Sequence, residues 1–231
     1  MIAAESGSRR RPIIAIDGPA GAGKTTTARE VARRLGFIHL DTGAMYRAVA
    51  LKALRCGCDL DNPREIAKMA DKAEISIRFL HGEQRIFLDG EDVTDQVRSP
   101  EVDRAVSPVC EVPRVRARMV ERQRKLGEAG GVVVEGRDIG TVVFPYADLK
   151  IYLTADVKER TRRRQMDRER WGIAADFDKV AAEVAERDRR DQTRNDSPLK
   201  PASDAVLIDT TNLSFEEQVE AVLRHFSARC G

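Results

Sequence analysis

Short apolar, β-branched runs alternate along this chain with longer segments of helical period. "PIIAI", "VVVEG" and "LKIYLTA" are almost continuously apolar, as strands buried on both faces of a parallel sheet must be. "FIHL" and "AVLIDTT" add shorter strands. After the first run, Ala28, Val31, Ala32 and Leu35 recur on one helical face, and Gly36 supplies the stop. After "FIHL", Asp41 and Thr42 stand where a helix N-cap belongs, and Met45, Val49, Ala50 and Leu54 continue the period. "NPREIAKMADKA" predicts a short helix with Pro63 near its start. "PEVDRAVSPVC", "VPRVRARMVERQRKLGEA", "DVKERTRRRQMDRERWG" and "FDKVAAEVAERDRRDQTRN" read as further helices. "SFEEQVEAVLRHF" is the last, with Ser214 as N-cap and Glu217 three residues on, a capping box.

Strands alternating with helices predict an α/β fold in three layers, a central parallel sheet between helices. One region departs from that rhythm. "ISIRF", "RIFLDG" and "EDVTDQV" are short alternating or β-rich runs separated by glycine and charged turns, which predicts a small antiparallel sheet inserted as a subdomain.

The turn between the first strand and the first helix carries the first chemistry. Gly18, Gly23, Lys24 and Thr25 fit G-x-x-x-x-G-K-[ST], the phosphate-cradling P-loop, in the strand–loop–helix order that motif requires. Glycines let backbone N–H groups turn inward, and the helix N-terminus adds partial positive charge. The expected nucleotide-binding set is Gly18, Pro19, Ala20, Gly21, Ala22, Gly23, Lys24, Thr25 and Thr26. Lys24 reaches the β- and γ-phosphates as a movable point charge, and the Thr25 hydroxyl is the expected Mg²⁺ ligand. Asp17 and Glu135 both lie at strand ends near the loop, and either can supply a further metal partner. The loop itself does not decide between ATP and GTP.

Composition narrows the class. The 231 residues are 34% charged and 42% hydrophobic, with a net charge of +2, so nothing pulls the chain towards nucleic acid or membrane. "MIAAESGSRRRP" has no apolar core of a signal peptide, its first ten or so residues are expected to fray, and no 18-residue apolar stretch exists to span a bilayer. Cys56, Cys58, Cys110 and Cys230 form no paired C-x-x-C knuckles, which favours reduced thiols in a cytosolic protein.

Arginine is concentrated in two segments. Arg160, Arg162, Arg163, Arg164, Arg168 and Arg170 fall in one, Arg187, Arg189, Arg190 and Arg194 in the other, joined by "WGIAADF". A solvated face with i,i+4 ion pairs is the ordinary reading of a charged helix. The excess of Arg over Lys, beside a phosphate cradle, favours a lid that closes over phosphates. Phosphoryl transfer rewards such a lid, because its transition state spreads negative charge over equatorial oxygens and water must be kept out. No general base stands out. A phosphate-monoester acceptor needs none, since its second pKa is near 6, but it does need several Arg to offset repulsion from ATP.

"IAIDGPAGAGKTT", "LDTGAMYR", "GEDVT", "VPRVR", "EGRDIGTVVFP", "ERDRRD" and "SPLKPASDAVLIDTT" together resemble the bacterial cytidylate kinases of the nucleoside monophosphate kinase class, from about Pro12 to the C-terminus. "LDTGAMYR" with "GRDIGTVVFP" is the specific part of the match. The resemblance implies transfer from ATP to CMP or dCMP with Mg²⁺. It implies a core at 12–41, 97–157 and 196–231, a nucleoside monophosphate-binding insert at 42–96 with base-reading residues continuing to about 116, and a lid at 158–195. It also implies that Thr42, Arg47, Arg137, Arg187 and Arg194 hold the acceptor phosphate, that Tyr46 packs at the acceptor nucleotide, and that Asp191 with Arg187 meets the ribose. Ser107, Arg116 and Asp138 would read the base, and Arg160, Arg163 and Arg164 would face ATP on closure. Lys24, Arg137, Arg187 and Arg194 are then the expected catalytic charges. Thr42 stands where Ser is usual in the family, with the same hydroxyl. A lid and an insert that must swing favour a monomer.

Three other readings fit less well. A kinase for a different metabolite shares the core but not the inserted sheet with "GRDIGTVVFP". A GTP-dependent switch needs an N/T-K-x-D guanine reader, and the chain has none. A nucleic-acid module on the Arg-rich helices lacks aromatic interleaving for stacking.

Overall fold

The computed structural model describes residues 10–80, 82–170 and 172–230; the expected fraying of the first nine residues and the place of Trp171 lie outside them. The central sheet has five strands in the order β2-β6-β1-β7-β8. These are β1 (Ile13–Asp17), β2 (Ile38–Asp41), β6 (Val132–Gly136), β7 (Leu149–Thr154) and β8 (Val206–Asp209). Every pairing in it is parallel, with Ile14 opposite Val133 on one side and Leu149 on the other.

Period-two alternation divides the core. Ile14 and Ile16 of β1 face one apolar cluster with Val31 of α1 (Lys24–Leu35) and Val219 of α8 (Phe215–Cys230). Ile13 and Ala15 face another, with Val120 and Leu126 of α5 (Pro113–Gly127) against it. Helices therefore cover both faces. Gly36 ends α1 at φ 61, its N–H returning to the carbonyls of the last turn.

The inserted region is an antiparallel three-stranded sheet, β3 (Ile75–Leu80), β4 (Glu83–Leu88) and β5 (Glu91–Asp92). Its Ile86 and Leu88 share one apolar cluster with α2 (Thr42–Arg55), α3 (Pro63–Lys72), α4 (Pro100–Glu111) and Met119 of α5. "EDVTDQV" is strand only over Glu91–Asp92 and then a single helical turn at Gln96–Arg98. Asp92 accepts from both the backbone and the hydroxyl of Thr94, and that hydroxyl accepts from Ile86 N, so a local turn takes over the ladder. The chain breaks between α4 and α5 at Val112, where Pro113 disfavours helix in the residue before it.

Between β7 and β8 the chain forms an antiparallel helix pair, α6 (Val157–Arg170) and α7 (Phe177–Thr193). Val180 and Val184 are the buried apolar residues of α7, and α6 buries only Arg160 and Thr161. This pair is held mainly by charge rather than by an apolar seam. No helix among the described residues is long and apolar enough to cross a membrane.

All the candidate loops follow strand C-termini, around β1, where the order of strands reverses and ligands of open α/β sheets bind. Close approach sets the first of them. Gly18 has φ 147, and a Cβ there would lie 2.0 Å from the carbonyl oxygen of Leu153 on β7. Gly36 also has positive φ, but a Cβ there meets nothing within 4 Å. Gly18→Ala is therefore expected to cost about 2 kcal/mol or more, and Gly36→Ala nearer 1 kcal/mol. Denaturant midpoints of the two variants check the order, and equal costs would contradict it.

Candidate active site

The P-loop is built as its sequence dictates. Thr27 N closes the first bond of α1 onto the Gly23 carbonyl, and Gly23 itself has φ 87. Lys24 is 7% exposed and donates from Nζ to the Pro19 carbonyl at 2.7 Å. Burial, with Arg137 nearby, pushes its ammonium down to about 7. Beneath the loop, Arg160 donates to the carbonyls of Ala155 and Ala20 and pairs with Asp188 at 2.6 Å. Arg163 reaches the Gly21 carbonyl and Thr210. Arg160 and Arg163 thus fasten α6 to the loop. Arg164 turns the other way, to Asp103 on α4.

The carboxylates at the strand ends have separate tasks. Asp17 accepts from the backbone N–H groups of Ile139 and Gly140, at 2.8 and 2.7 Å, which holds the turn after β6. Burial raises its carboxyl to about 6 against those two donors. In that turn Val143 N and Phe144 N reach back five residues to Asp138 and Ile139, a wide π-type turn of the sort found at functional sites. Glu135 instead accepts from the Thr25 hydroxyl at 2.9 Å with one oxygen and meets His39 Nε2 at 2.9 Å with the other. Of the two carboxylates near the loop, Glu135 is the one brought to Thr25.

Of the residues expected at the acceptor, Tyr46, Arg116, Asp138 and Arg194 come together, while Thr42 and Arg47 meet Glu135 and Asp41 at the start of α2. Asp41, not Thr42, caps α2, accepting from Ala44 N at 3.0 Å, and it pairs with Arg47 at 2.8 Å. Thr42 is the first helical residue, and its hydroxyl donates to the Glu135 carbonyl. Arg137 and Asp138 point apart, as neighbours in a loop do: Arg137 pairs with Asp191 at 2.9 Å, Asp138 with Arg116. The Arg116–Asp138 pair is buried, 2% and 4% exposed. Arg114, two residues away, is an exposed partner of Asp71 instead. The Arg116 guanidinium lies 5.6 Å from the Tyr46 ring centroid, and Arg194 approaches Asp138 at 3.8 Å. Ser107 is half-buried on α4, one turn after Asp103. Asp191 meets Arg137 rather than Arg187, and Arg187 pairs with Asp103 at 3.1 Å.

Tyr46 Oη, Arg47 Nε, Arg116 Nε and one Arg194 nitrogen are buried and have no hydrogen-bond partner among the described residues. Orphan polar atoms cost about 1–3 kcal/mol each; Gln123 Nε2, Thr141 Oγ1 and Asp188 Oδ1 are orphaned as well, but those of Tyr46, Arg116 and Arg194 belong to side chains that meet around Asp138, which marks a site for a polar ligand. The four named first all belong to residues expected at the acceptor. Asp103, Asp188 and His39 were not singled out in the sequence; only the spacing of Asp103 one turn before Ser107 offered a signal. The cysteines are all free, and burial pushes the Cys110 thiol beside this cluster up to about 11.

A family model described as Cytidylate kinase matches residues 14–228. A cytidylate kinase from Pelotomaculum thermopropionicum is 50% identical over 218 residues, 94% of this chain and 96% of that one. Another from Desulfitobacterium hafniense is 52% identical over 214 residues, 93% and 92% of the two chains. The crystal structure of an uncharacterized protein from Eubacterium ventriosum superposes with a TM-score of 0.52 at 16% identity, covering 95% of this chain and 100% of that one, a likeness of fold.

A base whose native pKa lies below its unfolded value binds its proton better when unfolded. Stability from Lys24 therefore rises with pH between about 7 and the ordinary 10.5, and below 7 the full cost of burying the charge remains. Lys24→Met removes that cost. At pH 6.5 the nucleotide-free variant is expected to melt about 4 °C or more above the parent, while turnover falls by at least roughly 10²-fold. An unchanged or lower melting temperature would contradict the burial cost.

Proposed function

The chain belongs to the cytidylate kinase family, and from that premise we propose that it transfers the γ-phosphoryl group of ATP to CMP and dCMP, giving ADP with CDP or dCDP. The observation that carries the reading is the buried Arg116–Asp138 pair among orphan polar atoms, with Asp138 in the turn after β6, the strand paired with the P-loop's β1. Gly18 to Thr26 cradle the ATP phosphates, with Lys24 on the transferring group. Arg160 and Arg163 back the loop from α6, and Arg164 joins them when ATP is bound. Thr42, Arg47, Arg137, Arg187 and Arg194 hold the acceptor phosphate, so the reacting oxygens meet in line with their charge offset. That phosphate is already ionised at pH 7, so no residue has to remove a proton before attack. Tyr46 packs at the acceptor nucleotide, and Asp191 with Arg187 meets the ribose.

Mg²⁺ suits the donors present. The Thr25 hydroxyl and the Glu135 carboxylate are hard oxygens 2.9 Å apart at the loop, and no cluster of three or more His, Cys, Asp or Glu forms a cage among the described residues. That suits an ion held mainly by nucleotide phosphates. Once bound there, it offsets charge on the β- and γ-phosphates.

Core, insert and lid divide as 12–41 with 97–157 and 196–231, 42–96, and 158–195. The protein acts as a cytoplasmic monomer on small molecules, without nucleic acid or membrane. Closure of the lid excludes water.

Cytosine offers an N4 amino donor beside its N3 and O2 acceptors, so Asp138 accepts from N4, Arg116 donates to N3 or O2, and the Ser107 hydroxyl adjusts. Uracil reverses the pattern and sets O4 against a carboxylate, at a cost of about 2–4 kcal/mol. In a coupled ADP-release assay with CMP, dCMP, UMP, AMP and GMP, the cytidine nucleotides are expected to be good acceptors and UMP poor by roughly 30- to 1,000-fold. Asp138→Ala should narrow that gap by harming CMP, whereas Arg187→Ala should harm every acceptor alike. An unchanged CMP/UMP ratio in Asp138→Ala would remove the base-reading role, and no activity with either cytidine nucleotide would remove the kinase reading.

A further inference from the structure

One carboxylate in the cleft is used neither by the loop nor by the base pocket. Asp103 sits in the first turn of α4 and meets Arg164 of α6 with one oxygen and Arg187 of α7 with the other, at 3.1 Å for Arg187. Among the described residues it is the one anion of α4 that meets both lid helices; Glu111, at the other end of α4, meets only α7, through Arg190 at 3.3 Å. The side chain of Asp103 is 21% exposed, and those of Arg187 and Arg164 are 22% and 30% exposed. Burial opposes its ionised form, but Arg187, Arg164 and Arg47 outweigh it and hold the carboxyl at about 2, so the charge is present throughout the neutral range. Arg47 is otherwise engaged by Asp41. Two of these cations, Arg47 and Arg187, are ones we assign to the acceptor phosphate. A carboxylate gripped by guanidinium forks resembles the phosphate they are shaped to hold.

We propose that Asp103 is a built-in competitor and latch: without nucleotide its carboxylate occupies the lid arginines and holds α6 and α7 against α4, and the acceptor phosphate must displace it to bind. The reaction chemistry is untouched, since Asp103 acts through Arg187 and Arg164 and is a positioning residue. The latch holds the lid near its working place, and it weakens acceptor binding by the cost of releasing it. The part of this that concerns acceptor affinity rests on the kinase reading above; the latch itself does not.

The test compares the full chain with Asp103→Asn and Asp103→Glu, by amide exchange in the nucleotide-free protein and by steady-state kinetics with CMP at saturating ATP. In Asp103→Asn, exchange over 158–195 should speed up about fivefold or more, because opening of that segment no longer breaks two ion pairs. KM for CMP should fall about threefold or more, with kcat within about twofold of the parent. Asp103→Glu should restore slow exchange. A purely structural ion pair predicts faster exchange with an unchanged or higher KM, and that result overturns the competitor role. Unchanged exchange in Asp103→Asn overturns the latch. If that variant does not fold, Arg164→Met breaks the α6 half of the tie, and unchanged exchange over α6 there overturns the latch equally. Absence of CMP kinase activity in the parent would defeat the kinase reading, and the exchange arm would still decide the latch.

Discussion

Cations that must hold phosphate must also coexist when no phosphate is bound, and that requirement organises this cleft. Arg47, Arg116, Arg137, Arg160, Arg164 and Arg187 each have a carboxylate partner: Asp41, Asp138, Asp191, Asp188 and, shared, Asp103. Unpaired, such charges would repel one another at low effective dielectric and unfold the lid locally. Paired, they let strand C-termini, α2, α4 and the lid helices meet around one volume. Different elements supply the two sides of each pair, so charge balance also sets how core, insert and lid sit together.

That balance is incomplete where function asks for it. Lys24 is buried against the loop carbonyls and Arg137, with its ammonium pushed down to about 7. Orphan nitrogens and the Tyr46 hydroxyl gather at the acceptor side. Both are costs to the folded chain that, on the proposed reading, a bound nucleotide repays, the usual tension between stability and activity. Asp17 shows the opposite use of a buried carboxylate: its oxygens go to backbone N–H groups and fix the turn that presents Arg137 and Asp138. Glu135 is left to face Thr25.

Local chemistry was legible in the sequence. The P-loop, the parallel strands, the inserted sheet and the Arg-rich helix pair each depend on near neighbours, and the structure has them all. The proposed acceptor set came from a resemblance in which "LDTGAMYR" and "GRDIGTVVFP" were specific. What could not be read depends on distant partners. Arg162 and Arg189 are ordinary surface pairs with Glu159 and Glu186 on their own helices, while Arg160, Arg164 and Arg187, two positions away, face inward. A run of arginines does not say which of them faces in. Asp103 and Arg187 are 84 positions apart, and nothing local marks either as the other's partner. Asp17 and Glu135 were equal candidates until the turn after β6 claimed the first. "EDVTDQV" looked like strand because its alternation is real, but an Asp92–Thr94 turn captured the donors that a longer ladder needs.

If the arginine cluster is held by acids in order to receive a phosphate, the acceptor's phosphate should carry most of its binding. Thermal unfolding of the nucleotide-free protein with saturating CMP, and separately with cytidine, tests this directly. The account predicts a melting temperature raised by about 4 °C or more with CMP, shrinking as salt is added, and little or no rise with cytidine. Equal shifts from CMP and cytidine, or a CMP shift insensitive to salt, would contradict it.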